Sequence, residues 1–344
     1  MRAVLFNSVG PPSVLHVVTN FPKPVVKPGQ VMVKVIATSV NPLDWKTRKG
    51  DLASAITTFP KIPNGDVAGV VVEAGPTSRF KIGDQVFGCS EGNLFWNTYG
   101  ASAEYHAVGE SKLAIIPPGW TFCQAAAVPL AGETAWQALE PCFPLAGKTV
   151  LVHAGAGGVG SFAIQIAKAQ GATVATTCSG VNEDIVRKLG ADYVFDYTKE
   201  TFEQAAAREN LKFDLVVDVI GGDYEARSKT VLNKRGRYSN VINAGFMRQY
   251  SNPTVGAAVQ FASMFQGLAA SAIGCGPAYS VIVLNSEAKS GLVQLSDLMA
   301  AGKLTPLIDR IMPLEESAAA HEYMEKGHAR GKVVLQVAPE EPRV

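Results

Sequence analysis

Three glycines in the segment KTVLVHAGAGGVG have the spacing of a phosphate-binding turn. Gly155, Gly157 and Gly160 form a G-x-G-x-x-G motif between an apolar, strand-like run and a segment with helical periodicity. Glycine suits such a turn because the chain bends tightly and the backbone must approach a pyrophosphate closely. A glycine turn without a ligand is the alternative. We predict a dinucleotide site formed by Gly155, Ala156, Gly157, Gly158, Val159 and Gly160.

The end of the next strand-like run indicates which nicotinamide cofactor this site would take. An NAD site usually has an acidic residue about 20 residues after the glycine turn, where it holds the ribose 2′-hydroxyl. Here the run ATVATT ends in Cys178, Ser179 and Gly180. This strand end has no carboxylate, so a 2′-phosphate would not be repelled there. The Ser179 hydroxyl can in addition donate a hydrogen bond to a 2′-phosphate. The pattern favours NADPH over NADH.

The elements that would position this turn follow two different sequence patterns along the chain. At 344 residues the chain is long enough for about two domains. The first 120 or so residues contain short strand-like runs separated by glycine and proline. From Thr149 onward, strand-like and helical segments alternate, which is typical of a parallel sheet with crossover helices. The last segments again read as strand, helix and strand, and we expect them to rejoin the β-rich region.

Composition excludes several classes of partner. The net charge is +1 and there is no Lys/Arg-rich run, so nucleic-acid binding is not expected. The N-terminus has neither secretory nor transit-peptide character, and the five cysteines lack the spacing of a zinc site. We therefore expect a cytoplasmic protein with no integral membrane segment. The uncharged stretch 249–286 reads as buried core, pocket wall or subunit interface, which leaves a homodimer possible.

Several motifs, in order along nearly the whole chain, resemble one enzyme family. The resemblance is to the zinc-independent, quinone oxidoreductase-like branch of the medium-chain dehydrogenase/reductase superfamily. It implies an α/β protein with a chaperonin-10-like β-domain (residues 1–125 and 288–344), a doubly wound Rossmann domain (residues 126–287) and an active site in the cleft. The motifs are NPLDWKTRKG (41–50), GDVAGVVVEAG (65–75), VPLAGETAWQAL (128–139), HAGAGGVGSFAIQIAKAQGA (153–172) and GHARGKVVLQV (327–337).

The same resemblance addresses the question of zinc. Zinc-dependent relatives have a cysteine where this chain has Ser39 or Val40, and a His-Glu pair where it has Gly65 and Asp66. A catalytic zinc needs three protein ligands, so we expect none here. Asp66 is then expected to accept hydrogen bonds from neighbouring donors. Without a Lewis acid, alcohol oxidation is disfavoured, whereas hydride transfer from C4 of NADPH to a quinone or to the β-carbon of an enone stays feasible.

The residues expected at the reacting end come from the resemblance. It implies that Asn41 lies near the nicotinamide, with a turn residue before Pro42 as the alternative. Lys46 is the candidate donor to the developing enolate oxygen, and a surface lysine is the alternative. The Thr134 hydroxyl is expected against the nicotinamide, unless it bonds back to a carbonyl of its own helix.

The resemblance also implies residues around the cofactor phosphates. Tyr197 matches a tyrosine near the adenosine phosphate, or is an ordinary edge-strand aromatic. Arg330, with Lys332, matches a basic position near the 2′-phosphate, or belongs to a solvated turn. Gly221 ends a strand on the carboxyl side of the sheet, where cofactors bind.

The predicted function is an NADPH-dependent, zinc-free reductase of quinones or of the C=C bond of α,β-unsaturated carbonyls. A non-catalytic NADPH-binding sensor or scaffold protein is one alternative. An alcohol dehydrogenase is the other, and the missing zinc ligands argue against it.

Overall fold

The computed structural model describes residues 1–51, 57–90, 99–241, 253–273, 276–282, 291–327 and 329–340, with the backbone alone for residues 253–261 and 263. The described chain divides into two compact units. The first contains Met1–Glu133 and Leu284–Val344, and the second contains Thr134–Val283.

Short strands dominate the first unit and longer alternating elements the second. The strands are β1 (Ala3–Leu5), β2 (His16–Val18), β3 (Gln30–Val40), β4 (Asp66–Ala74), β5 (Gln85–Cys89), β6 (Tyr105–Gly109), β7 (Leu113–Ile115), β8 (Thr149–Val152), β9 (Thr173–Cys178), β10 (Tyr193–Asp196), β11 (Phe213–Asp218), β12 (Leu232–Val241), β13 (Ala278–Ile282), β14 (Ile308–Pro313) and β15 (Lys332–Gln336).

The helices follow the same division. They are α1 (Pro42–Lys49), α2 (Phe122–Ala126), α3 (Pro129–Leu139), α4 (Gly158–Ala169), α5 (Glu183–Lys188), α6 (Phe202–Arg208), α7 (Asp223–Val231), α8 (Pro253–Ala272), α9 (Leu292–Ala300) and α10 (Ser317–Glu325).

The first unit is built on a sheet in the order β14-β15-β3-β4-β5-β7, with β6 also paired to β3. The pairs are antiparallel except for β14 and β15, which the intervening helix α10 allows to run parallel. As predicted, the C-terminal strand–helix–strand segment thus completes the sheet that the N-terminal strands begin.

Strand β3 is buried more completely than its sequence predicts. Alternation in QVMVKVIATSV predicts a half-buried strand, and Val31, Val33 and Val35 are indeed fully buried. Met32 and Ile36 on the other face are also only 5% exposed, and α2 packs against β3 and β4. Residues on both faces of β3 are buried, so the prediction of a half-buried strand is wrong. The final residues of β3 lie in the interior of the unit.

The second unit is a parallel sheet in the order β10-β9-β8-β11-β12-β13. The predicted Rossmann topology is confirmed. Strand order reverses between β8 and β11, so the loops that follow these two strands depart in opposite directions. Nucleotides bind outside the carboxyl ends of the strands at such a switch point.

The uncharged stretch 249–286 lies partly outside the described residues. Within it, α8 and the edge strand β13 are described, and Phe265 and Ile273 are 71% and 74% exposed.

Across the described parts of the chain, no helix combines the length and apolar character needed to cross a bilayer.

A glycine in β5 tests the sheet of the first unit. A Cβ added to Gly88 would lie 1.9 Å from the Lys112 carbonyl oxygen, a backbone atom that cannot move aside cheaply. We expect Gly88→Ala to lower the free energy of unfolding by about 1–3 kcal/mol, as overpacking does. Urea unfolding followed by circular dichroism measures this loss. The control is Gly75→Ala, where the described atoms leave the added Cβ free within 4 Å; equal midpoints for the two variants would contradict the tight packing.

Candidate functional site

Asp66 is the centre of a buried polar cluster in the first unit. It is fully buried at the start of β4, beside the end of β3. Its Oδ2 accepts hydrogen bonds from Ser39 Oγ at 2.5 Å and Asn41 Nδ2 at 2.8 Å, and its Oδ1 accepts one from the backbone N–H of Leu130 at 2.8 Å. The expectation that Asp66 accepts neighbouring donors is confirmed.

Lys332 supplies the positive charge of this cluster. Its Nζ lies 3.3 Å from Asp66 Oδ2 and also donates a hydrogen bond to Asn41 Oδ1, and the residue is 2% exposed. A buried carboxylate is costly unless a charge and hydrogen bonds compensate it. The sequence interpretation placed Lys332 near a phosphate. In the structure its ammonium is buried against Asp66 and Asn41, and its contact with a phosphate stays a prediction.

Asn41 joins the cluster to helix α1. Its side-chain amide contacts Asp66 through nitrogen and Lys332 through oxygen. Its backbone N–H donates to Asp44 Oδ2 at 2.7 Å, while the Asp44 N–H donates to the Asn41 carbonyl at 3.0 Å. The helix therefore starts at Pro42 with its first turn closed. The predicted turn role of Asn41 is confirmed, while its contact with a ligand stays a prediction.

Burial alters the acidity of Asp44. The residue is 2% exposed, and burial raises the pKa of its carboxyl to about 7. The Asn41 backbone N–H opposes this rise, the negative charge of Asp66 adds to it, and the ammonium of Lys332 again lowers the pKa. Asp44 is thus a titratable group in the neutral pH range.

Lys46 lies one turn further along α1 and is buried. It is 5% exposed, with Nζ 5.2 Å from the centre of the Trp45 ring. The alternative of a surface lysine is therefore wrong. Sequence reasoning missed its neighbour Arg48, which is fully buried and forms an ion pair of 2.8 Å with Glu325 of α10.

The glycine turn of the second unit has the geometry that a phosphate requires. A Cβ on Gly160 would lie 2.2 Å from the Ala154 carbonyl oxygen, and one on Gly155 would lie 2.1 Å from Thr176 Oγ1. Gly157 precedes α4 without a side-chain cap. The first N–H groups of a helix lack partners within it, so the groups from Gly158 onward are suited to an anion.

The end of β9 contains the residue predicted to meet a 2′-phosphate. Ser179 Oγ accepts a hydrogen bond from Asn182 Nδ2 at 3.0 Å, which leaves the hydroxyl proton of Ser179 for another acceptor. Sequence reasoning missed Asp196, which pairs with Cys178 across the neighbouring strand. Its Oδ2 would lie 2.5 Å from a Cβ on Gly180, and it forms an ion pair of 3.3 Å with Lys199.

Two other predicted residues lie at the same edge of this sheet. Gly221 follows β11 with a φ of 76°, and its N–H donates to Asp218 Oδ1 at 3.0 Å. Tyr197 follows β10, is 56% exposed, and lines a cavity of about 450 Å³. Other residues of the cavity wall are Lys199, Phe202, Gln204, Tyr224 and Arg227.

The remaining predicted residues are placed separately. Thr134 is buried in α3, and Arg330 is exposed in the turn before β15. The structure brings Asn41 and Lys332 into contact in the first unit, and Lys46 is buried in the helix that follows Asn41. In the second unit it gathers the glycine turn, Ser179, Tyr197 and Gly221 along the carboxyl edge of the sheet.

Comparison with known proteins agrees with this geometry. The family model "Alcohol dehydrogenase GroES-like domain" matches residues 27–118, and "Zinc-binding dehydrogenase" matches residues 189–335. A 2-methylene-furan-3-one reductase from Solanum lycopersicum is 34% identical, over 98% of this chain and 80% of the relative. The chain belongs to the quinone oxidoreductase-like medium-chain dehydrogenase/reductases. It is therefore an oxidoreductase.

Two further members of the family resemble this chain along most of its length. A chloroplastic NADPH-dependent alkenal/one oxidoreductase from Arabidopsis thaliana is 35% identical, over 98% of this chain and 80% of the relative. The solved structure of a quinone oxidoreductase from Coxiella burnetii is 33% identical with a TM-score of 0.80, and the match covers 98% of this chain and 99% of that one. The predicted family and fold class are confirmed.

The zinc in one family description does not fit the residues of this medium-chain dehydrogenase/reductase. Around Asp66, the hydroxyl of Ser39, the amide of Asn41 and the ammonium of Lys332 all direct hydrogens at the carboxylate. A zinc ion there would need thiolate, imidazole or further carboxylate ligands, and the buried ammonium would repel it. Within the described parts of the chain, no three His, Cys, Asp or Glu residues are grouped to hold a metal.

The raised pKa of Asp44 predicts a specific pH dependence of stability. Its pKa is about 7 in the folded protein and about 3.9 in an unfolded chain. The folded state therefore binds the proton more tightly, and the wild type loses stability relative to Asp44→Asn as the pH rises from about 4 to about 7. Urea unfolding of both proteins across this range measures the difference. The exposed Asp184 provides the control Asp184→Asn, and a pH-independent difference for Asp44→Asn would contradict the raised pKa.

Proposed function

We propose that this oxidoreductase is an NADPH-dependent, metal-free reductase of quinones or of the C=C bond of α,β-unsaturated carbonyls. The observation that carries the proposal is the ammonium of Lys332 beside the buried carboxylate of Asp66. This arrangement replaces the ligand set with which a zinc enzyme would acidify an alcohol. Substrates that are already electrophilic at carbon need no such activation.

The second unit supports NADPH as the cofactor. The glycine turn and the start of α4 would hold the pyrophosphate, and the Ser179 hydroxyl would donate to the 2′-phosphate. Tyr197 is proposed as a further phosphate contact, and so is Arg330 of the first unit, because a guanidinium suits phosphate oxygens. Asp196 would oppose the phosphate, but its charge is paired with Lys199. The Arabidopsis relative is named as NADPH-dependent.

The groups proposed for the reacting end are Lys46 and Asn41 of the first unit and Thr134 of the second. Bound NADPH supplies a hydride from C4 of its nicotinamide. The Lys46 ammonium would stabilise the negative charge that develops on the carbonyl oxygen of the substrate, and its burial strengthens this interaction. Asn41 would contact the nicotinamide end, and the Thr134 hydroxyl would orient the ring. A proton from solvent or a neighbouring group completes the reduction.

Turnover separates this proposal from its alternatives. The purified protein is mixed with NADPH and an alkenal, a cyclic enone or a naphthoquinone, and absorbance at the nicotinamide band is followed. We expect consumption of NADPH with at least one of these substrates, and no added zinc should be required. Tight binding of NADPH without turnover would favour a sensor or scaffold protein. Zinc-dependent oxidation of alcohols would favour the dehydrogenase.

A carboxylate at position 179 tests the choice of cofactor. In Ser179→Asp, the new charge would stand where the 2′-phosphate is proposed to bind, and like charges a few ångströms apart repel by about 1 kcal/mol or more. We expect KM for NADPH to rise about tenfold or more, with KM for NADH changed far less.

The control is Ser111→Asp, which adds the same charge to an exposed serine of the first unit. Equal effects of Ser179→Asp on NADPH and NADH would contradict the proposed position of the phosphate.

A further inference from the structure

The cluster around Asp66 fixes which way the Asn41 amide faces. A lysine ammonium only donates hydrogen bonds, so it must face the amide oxygen, and a carboxylate only accepts them, so it must face the amide nitrogen. Lys332 and Asp66 contact the two ends of Asn41 in this arrangement. A flipped amide would place N–H groups against an ammonium and an oxygen against a carboxylate. Both contacts would then be repulsive.

Three distant parts of the chain meet in this arrangement. Asn41 lies between β3 and α1, Asp66 begins β4, and Lys332 begins β15. Strand β15 pairs with β3 through Val333 and Val40, which brings Lys332 next to the residue that precedes the helix. The position of Lys332 is thus fixed by the sheet rather than by local sequence.

The orientation of Asn41 also affects helix α1. Asp66 and Lys332 hold the side chain of Asn41, and Asp44 in the first turn accepts a hydrogen bond from its backbone N–H, so a displacement of this residue would disturb the start of the helix. Lys46 lies on the next turn and is buried. A shift of about 1 Å in a catalytic group can cost about 100-fold in rate. The helix start therefore matters for the chemistry proposed for Lys46.

We propose that Lys332 and Asp66 are positioning residues, a polar clamp that orients Asn41 and holds the start of the helix that carries Lys46. The clamp acts through Asn41 and Lys46 and contacts no reacting atom. The effect of the clamp on the reaction rate rests on the proposed function. The effect of the clamp on the Asn41 amide rests on the contacts alone.

Two charge-free double variants isolate the clamp from simple charge compensation. Lys332→Met with Asp66→Asn removes both charges and also the donor that faces Asn41. Lys332→Gln with Asp66→Asn removes both charges but keeps a donor at position 332 and an acceptor at position 66. Circular dichroism checks that both variants fold.

We expect the Met/Asn variant to lose about 100-fold in kcat, with KM for NADPH little changed. The Gln/Asn variant should recover about threefold to tenfold of that loss, because it restores a hydrogen bond to Asn41 between neutral groups, which is weaker than one from an ammonium. Equal kcat values for the two double variants would overturn the clamp, because they differ in the donor and not in charge.

The control is the exposed pair Lys168 and Asp192, whose charged atoms are 2.8 Å apart. Removing both of its charges with Lys168→Met and Asp192→Asn should leave kcat unchanged. A loss of rate comparable to that of the Met/Asn variant would overturn a specific role for the pair formed by Lys332 and Asp66.

A readout that needs no turnover separates this inference from the proposed function. The side-chain NH2 signal of Asn41, assigned by its absence in Asn41→Ser, should exchange slowly with solvent in the wild type. In the Met/Asn variant it should exchange about tenfold faster, because its acceptor at position 66 is no longer charged and the donor that fixed the other end of the amide is gone. Equal exchange in both proteins would overturn the clamp even if the wild type reduces enones. If no substrate is reduced, the proposed function fails while the exchange result still decides the clamp.

Discussion

The burial of one carboxylate constrains much of the first unit. Asp66 is fully buried, and removing a charge from water costs several kcal/mol unless donors and an opposite charge surround it. The required donors come from the end of β3, the residue before α1, the start of α3 and the start of β15. These elements must therefore converge on one point, and the cluster links their positions to each other.

This constraint connects the fold to the chemistry. A catalytic zinc ion is held by cysteine, histidine or carboxylate ligands, whereas here an ammonium compensates the carboxylate. Like a zinc ion, this ammonium carries positive charge, but it is buried, bound to protein groups and unable to coordinate an alcohol oxygen. Hydride transfer to an electrophilic carbon needs orientation and a donor for the developing oxyanion. Asn41 belongs to the cluster and precedes the helix that contains Lys46, so the cluster fixes the backbone at the start of that helix.

Local sequence patterns predicted the second unit better than the first. The spacing of Gly155, Gly157 and Gly160 and the alternation of strands with helices depend on neighbouring residues, so the motif and the parallel sheet could be read directly. The contact between Asp66 and Lys332 spans 266 residues, and no short-range pattern marks it. The carboxylate of Asp196 was missed for a related reason, because strand register, and not sequence spacing, places it beside Gly180.

A double-mutant cycle in protein stability tests most directly whether Lys332 compensates the buried charge of Asp66. Free energies of unfolding are measured for the wild type, Asp66→Asn, Lys332→Met and the double variant. Each single substitution leaves one buried group without its charged partner, and we expect each to cost about 3–5 kcal/mol. We expect the double variant to lose about 2–3 kcal/mol less than the sum of the single losses. Additive losses would contradict a coupled, buried ion pair at the centre of the site.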